Sequence, residues 1–257
     1  MVKRTSTLLV GLILFFSWSV LARGQNFWST KPFVEWSKAE AEQVLNDSPW
    51  AKVSEVRIRK EGQVRRVAGA PPSMERNETN STTSTGAEVP IDFVFTLRLR
   101  SALPVRQALV RLKQMAAKYN QMDPKQRASF DASTKGLLEC PACDSNYVVS
   151  LTSKSRNSPG ADAVYSVFKG AQLEDIKRYI YIADEQRHRR ELVHFVPPKA
   201  PGEEAIFFFP RLDEKGNPLF TVDSKEIVVN LTYNEVNMFT NFRIDITKLI
   251  DNGRVLF

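Results

Sequence analysis

The chain has 257 residues and a formal net charge of +7, from 36 Lys and Arg against 29 Asp and Glu, and it contains two His and two Cys. This length suits one large domain or two small ones and is sufficient for a sizeable apolar core. The charge excess is modest and the sequence holds no recognition motif for nucleic acid. We therefore do not expect a nucleic-acid partner.

Residues 1–24 have the three-part layout of a secretory signal peptide. Lys3 and Arg4 precede an apolar run at 8–21, and a short segment with small residues leads to an expected cleavage site before Gln25. A bilayer span needs about 20 apolar residues, so this run favours cleavage over retention as an anchor. No later stretch approaches that length. We expect an exported protein, periplasmic or secreted, that does not span a membrane after cleavage. Its net charge would be +4, because the signal segment carries three basic and no acidic residues.

The first helix of the exported chain is predicted by a capping box. Ser37 and Glu40 have the spacing at which each side chain bonds the other residue's backbone N–H, and Pro49 ends the helix. Aromatic residues are dense around this helix. We expect them to be buried and to tie the N-terminal segment to the body, rather than to form a carbohydrate platform. They are Phe27, Trp28, Phe33, Trp36 and Trp50.

Two strands are predicted next, separated by a loop. Residues 51–60 alternate between apolar and charged side chains, and 91–100 place Phe93, Phe95 and Leu97 on one face. The intervening residues 67–88 are small, polar and Pro-containing. They predict a flexible surface loop, because they offer almost nothing to bury.

A second helix is predicted from Pro104, with apolar residues at spacings of three and four and a basic outer face. The region between Asp92 and Asp123 holds six basic residues and no acidic one. One interpretation is a solvated face. The other is a surface for an anionic partner, such as an acidic polysaccharide or lipid head groups. The six residues are Arg98, Arg100, Arg106, Arg111, Lys113 and Lys118.

A third helix is predicted to begin at Asp123 and Pro124 and to run towards the motif CPAC at 140–143. In an oxidising compartment, Cys140 and Cys143 are expected to form a disulfide that pins the end of this helix to the next strand. A redox role is an alternative, but thiol oxidoreductases place such a motif after a strand and before a helix. A zinc site would need both histidines, whose spacing is outside the usual range. We therefore expect no metal and no cofactor.

The C-terminal half reads mostly as strands separated by turn signals. This order predicts an α+β fold, with N-terminal helices packed on a mostly antiparallel sheet. We expect residues 25–257 to form a single domain, and a division near residue 170 is the alternative. The predicted strands are 178–183, 191–196, 205–210, 226–233 and 242–246.

Three segments together resemble a family of uncharacterised exported proteins of soil bacteria. They are KPFVEWSKAEAEQVLNDSPWAKV at 31–53, LLECPACDSNYVVSL at 137–151 and AIFFFPRLDEKGNPLF at 205–220. Members of that family carry similar W-S…D-S-P-W and F-x-F-P-R-x-D-x-x-G segments. The resemblance implies a bacterial, exported origin and assigns neither an activity nor site residues.

The leading hypothesis is a non-enzymatic binding or envelope-associated module with a basic surface. The sequence has no G-x-S-x-G elbow, no H-E-x-x-H helix and no phosphate-binding glycine loop. Two alternatives stay open at this point. One is a thiol-disulfide oxidoreductase using CPAC, and the other is an unrecognised extracytoplasmic hydrolase with paired carboxylates.

Overall fold

The computed structural model of the protein describes residues 27–58, 90–231, 241–251 and 254–257. The expected signal segment 1–24 and the expected flexible loop 67–88 lie outside these residues. Within the described part of the chain, no helix is long and apolar enough to cross a membrane.

The three longest helices precede residue 140, and shorter ones follow them. The α-helices are α1 (Phe27–Thr30), α2 (Lys38–Asn46), α3 (Leu103–Ala116), α4 (Pro124–Glu139), α5 (Ala142–Ser145), α6 (Ala163–Phe168) and α7 (Leu173–Ile176). Short 3-10 helices lie at Phe33–Glu35, Tyr119–Gln121 and Ile246–Leu249.

The strands form two larger sheets and one hairpin, and every pairing among the described residues is antiparallel. The strands are β1 (Ala51–Ile58), β2 (Ile91–Leu99), β3 (Asn146–Ser155), β4 (Ile180–Ala183), β5 (Arg189–Glu191), β6 (His194–Val196), β7 (Ala205–Pro210), β8 (Glu226–Leu231), β9 (Asn241–Asp245), β10 (Ile250–Asp251) and β11 (Arg254–Val255). The first sheet has the order β1-β2-β3-β7-β6, the second has the order β5-β4-β8-β9, and β10 pairs with β11. The predicted α+β class with antiparallel sheets is confirmed.

One apolar core serves both larger sheets. β1 lies against β9 and β5 lies against β7, so the two sheets meet at both sides. The largest fully buried side chains come from both sheets and from the helices that pack on them, and they include Trp36, Trp50, Phe95, Phe168 and Phe207. Trp36 and Trp50 are buried as predicted, and their ring nitrogens donate to the carbonyls of Lys31 and Leu256. The other three predicted aromatics, Phe27, Trp28 and Phe33, are only partly buried and pack against the same core.

The predicted capping box at Ser37 is present, and a second capping box forms at the predicted helix start at Asp123. Ser37 Oγ accepts from the Glu40 N–H at 3.2 Å, and the Ser37 N–H donates to Glu40 Oε2 at 2.7 Å, which starts α2. Asp123 and Gln126 exchange the corresponding bonds at 2.8 and 3.0 Å, which start α4. Each box satisfies two backbone N–H groups that a helix start leaves without intrahelical partners.

The Glu40 carboxylate also predicts a pH dependence. Its hydrogen bonds to the Lys31 ammonium and to the Ser37 N–H hold the pKa of Glu40 below its ordinary range. A carboxylate with a depressed folded-state pKa stabilises the fold above its unfolded pKa of about 4.3, and this contribution is lost as the pH falls through the folded pKa.

We therefore expect Glu40→Gln to lower the free energy of unfolding at pH 7, by less than about 1 kcal/mol because the pair is partly exposed. The difference from wild type should shrink below about pH 4. Urea unfolding at pH 7 and pH 3 measures it. Glu42→Gln is the matched control, since this carboxylate lies outside the capping box at 3.7 Å from Lys38 Nζ. If the free energies of unfolding of Glu40→Gln and wild type differed by the same amount at pH 7 and pH 3, the prediction would be contradicted.

The predicted strand 191–196 is divided between the two sheets. β5 pairs with β4 in the second sheet, whereas β6 pairs with β7 in the first. The crossing occurs at the buried Leu192 and at Val193, whose N–H donates to the Phe208 carbonyl at 3.0 Å. Because β6 and β7 return to the sheet of β1–β3, residue 170 does not separate the two sheets in sequence.

The short helices α6 and α7 have no counterpart among the predicted elements. Asp162 caps α6, since its carboxylate accepts from the Tyr165 N–H at 3.0 Å. The same carboxylate is buried and accepts from Ser153 Oγ and from the Gly202 N–H at 2.6 and 2.7 Å. It therefore joins β3, α6 and the turn before β7.

Candidate functional site

The first sheet has one face on the shared core and a second face that carries the candidate site. Strand register determines which residues share this second face, because side chains alternate along each strand and directly paired residues point the same way. Val148 is buried there, whereas Ile206 and Phe208 on β7 are only half-buried. The aligned rows are Arg98, Ser150, Ile206 and Val196 in one, and Val148, Phe208 and His194 in the next.

The end of α4 and the CPAC segment form a wall beside this face. Cys140 ends α4 in the left-handed region with φ 45°, which turns the chain back into the one-turn helix α5. Cys140 and Cys143 are joined by a disulfide with an S–S distance of 1.97 Å, and Cys143 is buried. Gly136, Leu137 and 140–142 line the wall.

A groove of about 210 Å³ lies between this wall and the floor made by Val148, Ile206 and Phe208. Two guanidinium groups, Arg100 and Arg106, also line it. The two features that stand out in the sequence, the cysteine pair and part of the basic stretch, therefore meet at one place. Every other lining residue is apolar, glycine or Cys140.

Nearly all N–H donors of the Arg98 guanidinium are hydrogen-bonded within the fold. Its guanidinium donates to the Leu45 carbonyl at 2.7 Å, to Glu204 Oε1 at 3.1 Å and to the side chains of Thr152 and Asn46 at 3.2 and 3.1 Å. Burial lowers the pKa of Arg98, and the Glu204 carboxylate opposes this effect. A guanidinium has five N–H donors. Arg98 is therefore a structural residue that links α2, β2 and β3.

Arg100 keeps most of its donors. It forms an ion pair with the other oxygen of Glu204, and that is its one side-chain hydrogen bond within the described part of the chain. Its side chain is 17% exposed and lines the groove. Four of its five N–H groups therefore have no hydrogen-bond partner among the described residues.

Arg106 anchors the groove wall and still has spare donors. Its guanidinium donates to the Leu138 carbonyl at the end of α4 and to the Ser101 carbonyl at 3.4 Å. Arg106 Nε is buried and has no hydrogen-bond partner among the described residues. Burial lowers the pKa of Arg106, and attraction to Asp144 opposes this effect. An arginine nevertheless stays protonated at physiological pH.

The remaining three predicted basic residues lie away from the groove. Arg111 Nε donates to the Trp36 carbonyl at 2.7 Å and so ties α3 to the segment before α2. Lys113 and Lys118 are exposed. The outer face of α3 is therefore not uniformly solvated, because α2 and α4 pack beside it and bury Val110 and Gln114. Binding of an anionic partner by the six residues stays a prediction.

Sequence reasoning missed the groove residues on β7 and the counter-ion Glu204. One signal was present: 205–209 is apolar at every position, which indicates a strand covered on both faces rather than one. It also missed Arg211, which donates to the Cys143 carbonyl at 2.8 Å and lies 4.7 Å over the Tyr147 ring. Arg211 holds α5 in place behind the wall.

The disulfide is expected to contribute modestly to stability. The two cysteines are only three positions apart, and a short loop removes little entropy from the unfolded chain. Cys140→Ser/Cys143→Ser should therefore lower the free energy of unfolding by about 2 kcal/mol or less. Urea unfolding of wild type with reductant should give the same loss, while reductant should leave the double variant unchanged. A loss above about 4 kcal/mol would show that the pair has a larger structural role.

A second cavity of about 540 Å³ lies over the second sheet, and the carboxylates of Asp184, Glu185 and Glu226 line it. Glu185 accepts a hydrogen bond from the Gln186 side chain at 3.1 Å. Glu226 pairs with Arg243 at 2.5 Å. Asp184 accepts from the His188 N–H at 2.8 Å and its other oxygen lies 2.8 Å from His188 Nδ1. These three carboxylates are thus held by neighbours within the sheet and its turn. Among the described residues, no group of three or more His, Cys, Asp or Glu could hold a metal ion.

Comparisons of the chain with protein-family models, with curated proteins and with solved structures give no match. The feature of the described residues with the clearest chemistry is the groove, in which two guanidinium groups border an apolar floor.

Proposed function

We propose that this chain is an exported bacterial binding protein, and that the groove beside the disulfide binds an anion with an apolar part. The observation that carries the proposal is the position of Arg100 and Arg106, which both keep unused N–H donors and border the half-buried Ile206 and Phe208. The signal-like segment and the resemblance to exported bacterial proteins support the compartment and the origin.

The lining supports binding rather than proton-transfer chemistry. Ligand sites are mostly apolar, with a few polar groups that orient the ligand. In this groove the polar groups are guanidiniums, which recognise carboxylate-like anions by paired hydrogen bonds and do not exchange protons near neutral pH. The described lining contains no carboxylate, His or hydroxyl side chain that could act as general acid or base.

The position of the CPAC segment in the fold favours a structural role in the groove wall over a redox-active role. A 16-residue helix precedes Cys140, and the helix that follows has only four residues before β3. This is close to the reverse of the strand-then-helix order of thiol oxidoreductases. In an insulin-reduction assay, the rates of wild type and of Cys140→Ser should both be negligible. A measurable wild-type rate that is lost in Cys140→Ser would favour the redox alternative.

The binding proposal is tested with the fluorescent amphipathic anion 8-anilinonaphthalene-1-sulfonate. The full-length chain is expressed in a bacterial host, and the protein is purified from the exported fraction, where mass spectrometry should find Gln25 at the N-terminus. The probe should bind wild type with increased fluorescence. Arg100→Gln/Arg106→Gln should reduce its affinity at least tenfold, because both guanidiniums border the apolar floor.

Lys113→Gln/Lys118→Gln is the matched control, since it removes the same charge from exposed positions outside the groove. It should bind the probe like wild type at a fixed ionic strength. Far-ultraviolet circular dichroism and urea unfolding establish that each variant is folded. Equal probe affinity in both double variants would overturn the groove as the binding site.

A further inference from the structure

The dimensions and chemistry of the groove, taken with the proposed binding function on which this step rests, indicate a ligand class. We infer that the groove binds the free carboxylate of an unbranched aliphatic chain of about six to eight carbons. The inference follows from the groove volume, from the lack of polar groups on its floor, and from the two arginines and Gly136 beside it.

The volume limits the ligand to a narrow chain. Sites for drug-sized molecules have about 300–1,000 Å³. The groove has about 210 Å³. A water molecule occupies about 30 Å³ in the liquid and a methylene group is of similar size, so a single chain of about seven such groups would fill the groove. A ring-containing ligand such as the sulfonate probe would be enclosed only in part.

The floor excludes a ligand rich in hydroxyl groups. Val148, Ile206 and Phe208 offer no side-chain donor or acceptor, and the backbone groups of β3 and β7 between them are paired within the sheet. A sugar buried on this floor would lose hydrogen bonds to water without replacement, which costs free energy for each hydroxyl. A hydrocarbon chain loses nothing of this kind and gains from burial.

The N–H donors of Arg100 and Arg106 indicate that the head group of the ligand is a carboxylate. Planar guanidiniums match the two oxygens of a carboxylate, which accept paired N–H bonds. Arg100 already donates a single bond to one carboxylate oxygen of Glu204. Arg106 provides a second guanidinium that lines the groove, and its two terminal nitrogens each carry one N–H beyond the bonds to Leu138 and Ser101. One carboxylate between Arg100 and Arg106 would use donors that the fold leaves over.

Gly136 has no side chain, which leaves space open in the groove beside α4. It lies within α4, where glycine is less favourable than alanine by about 1 kcal/mol. It also lines the groove, and a Cβ placed on it would meet no atom within 4 Å. A Cβ therefore fits without a clash, and we expect a longer side chain at this position to extend into the groove. Gly136 thus provides a variant that fills the site while leaving every charge in place.

The test is displacement of the sulfonate probe by butanoate, hexanoate, octanoate and decanoate, with 1-octanol and octyl phosphate as comparison ligands. Affinity should rise about fourfold for each methylene up to octanoate and then level off, because the groove is filled. Octanoate should bind at least tenfold more tightly than 1-octanol. Gly136→Leu should weaken octanoate binding at least tenfold without lowering stability. Lys113→Gln/Lys118→Gln should change neither the octanoate affinity nor the stability.

The outcomes separate this inference from the proposed function. If the probe binds in a manner that depends on Arg100 and Arg106, but octyl phosphate displaces it better than octanoate does, the carboxylate inference is overturned and the anion-binding groove stands. No dependence on chain length would also overturn the inference. If the probe itself is indifferent to both arginines, the proposed function fails and the inference fails with it.

Discussion

Asp162→Ala should lower the free energy of unfolding by about 3–5 kcal/mol, because a buried carboxylate with three hydrogen bonds is lost. Asp162 is 8% exposed and accepts from Ser153 Oγ, the Tyr165 N–H and the Gly202 N–H at 2.6, 3.0 and 2.7 Å. Removing it leaves two backbone donors without that acceptor in a buried setting, and each such donor costs about 1–3 kcal/mol.

The measurement is urea unfolding at pH 7, with two further variants. Asp162→Asn keeps one carbonyl oxygen as an acceptor, so its loss should be smaller than that of Asp162→Ala. Asp223→Ala, at an exposed turn position, should change stability by less than about 0.5 kcal/mol. If Asp162→Ala behaved like Asp223→Ala, the network joining β3, α6 and the turn before β7 would not contribute to stability.

Glu204→Ala should have the second largest effect, a loss of about 3 kcal/mol in the free energy of unfolding, because it leaves two largely buried guanidiniums without their shared counter-ion. The side chains of Arg98 and Arg100 are 11% and 17% exposed, and both donate to Glu204. Removal of one partner from such an ion pair lowers the free energy of unfolding by more than the intact pair contributes, since the remaining charges stay desolvated. Glu214→Ala, at an exposed turn, is the control.

The same substitution should raise the affinity for octanoate, because Arg100 gains a further unused donor and the groove loses a nearby negative charge. Stability and ligand affinity should therefore change in opposite directions in Glu204→Ala. Urea unfolding and probe displacement measure the two quantities. A stability loss with unchanged octanoate affinity would show that Arg100 does not contact the ligand.

Local structure was predictable where a few neighbouring residues decide it. The capping boxes at Ser37 and Asp123 depend on side chains three positions from the amide that they bond. The alternation in β2 identified its core face, because Phe95 and Leu97 lie two positions apart and both are fully buried. The helix before CPAC and the strand after it follow from the same kind of local pattern.

The basic stretch shows where local reasoning stops. Along the sequence the six residues look equivalent, since no acidic residue lies among them. In the fold they have different partners, and those partners are remote: Arg98 contacts Leu45, 53 positions away, and Glu204, 106 positions away. Charge and spacing do not contain this information, because hydrogen bonds to distant carbonyls depend on which elements pack together.

By itself, the sequence determined the α+β class, the starts of α2 and α4, and the disulfide-forming pair at the end of α4. The class follows from the order of the elements along the chain, and the others depend on contacts between residues close in the chain. Only the tertiary structure decided that β7 pairs with β3, which places Ile206 and Phe208 in one groove with Cys140, Arg100 and Arg106. That arrangement depends on antiparallel pairing across about 60 residues of intervening chain, and pairing partners at such distances leave no mark in local periodicity.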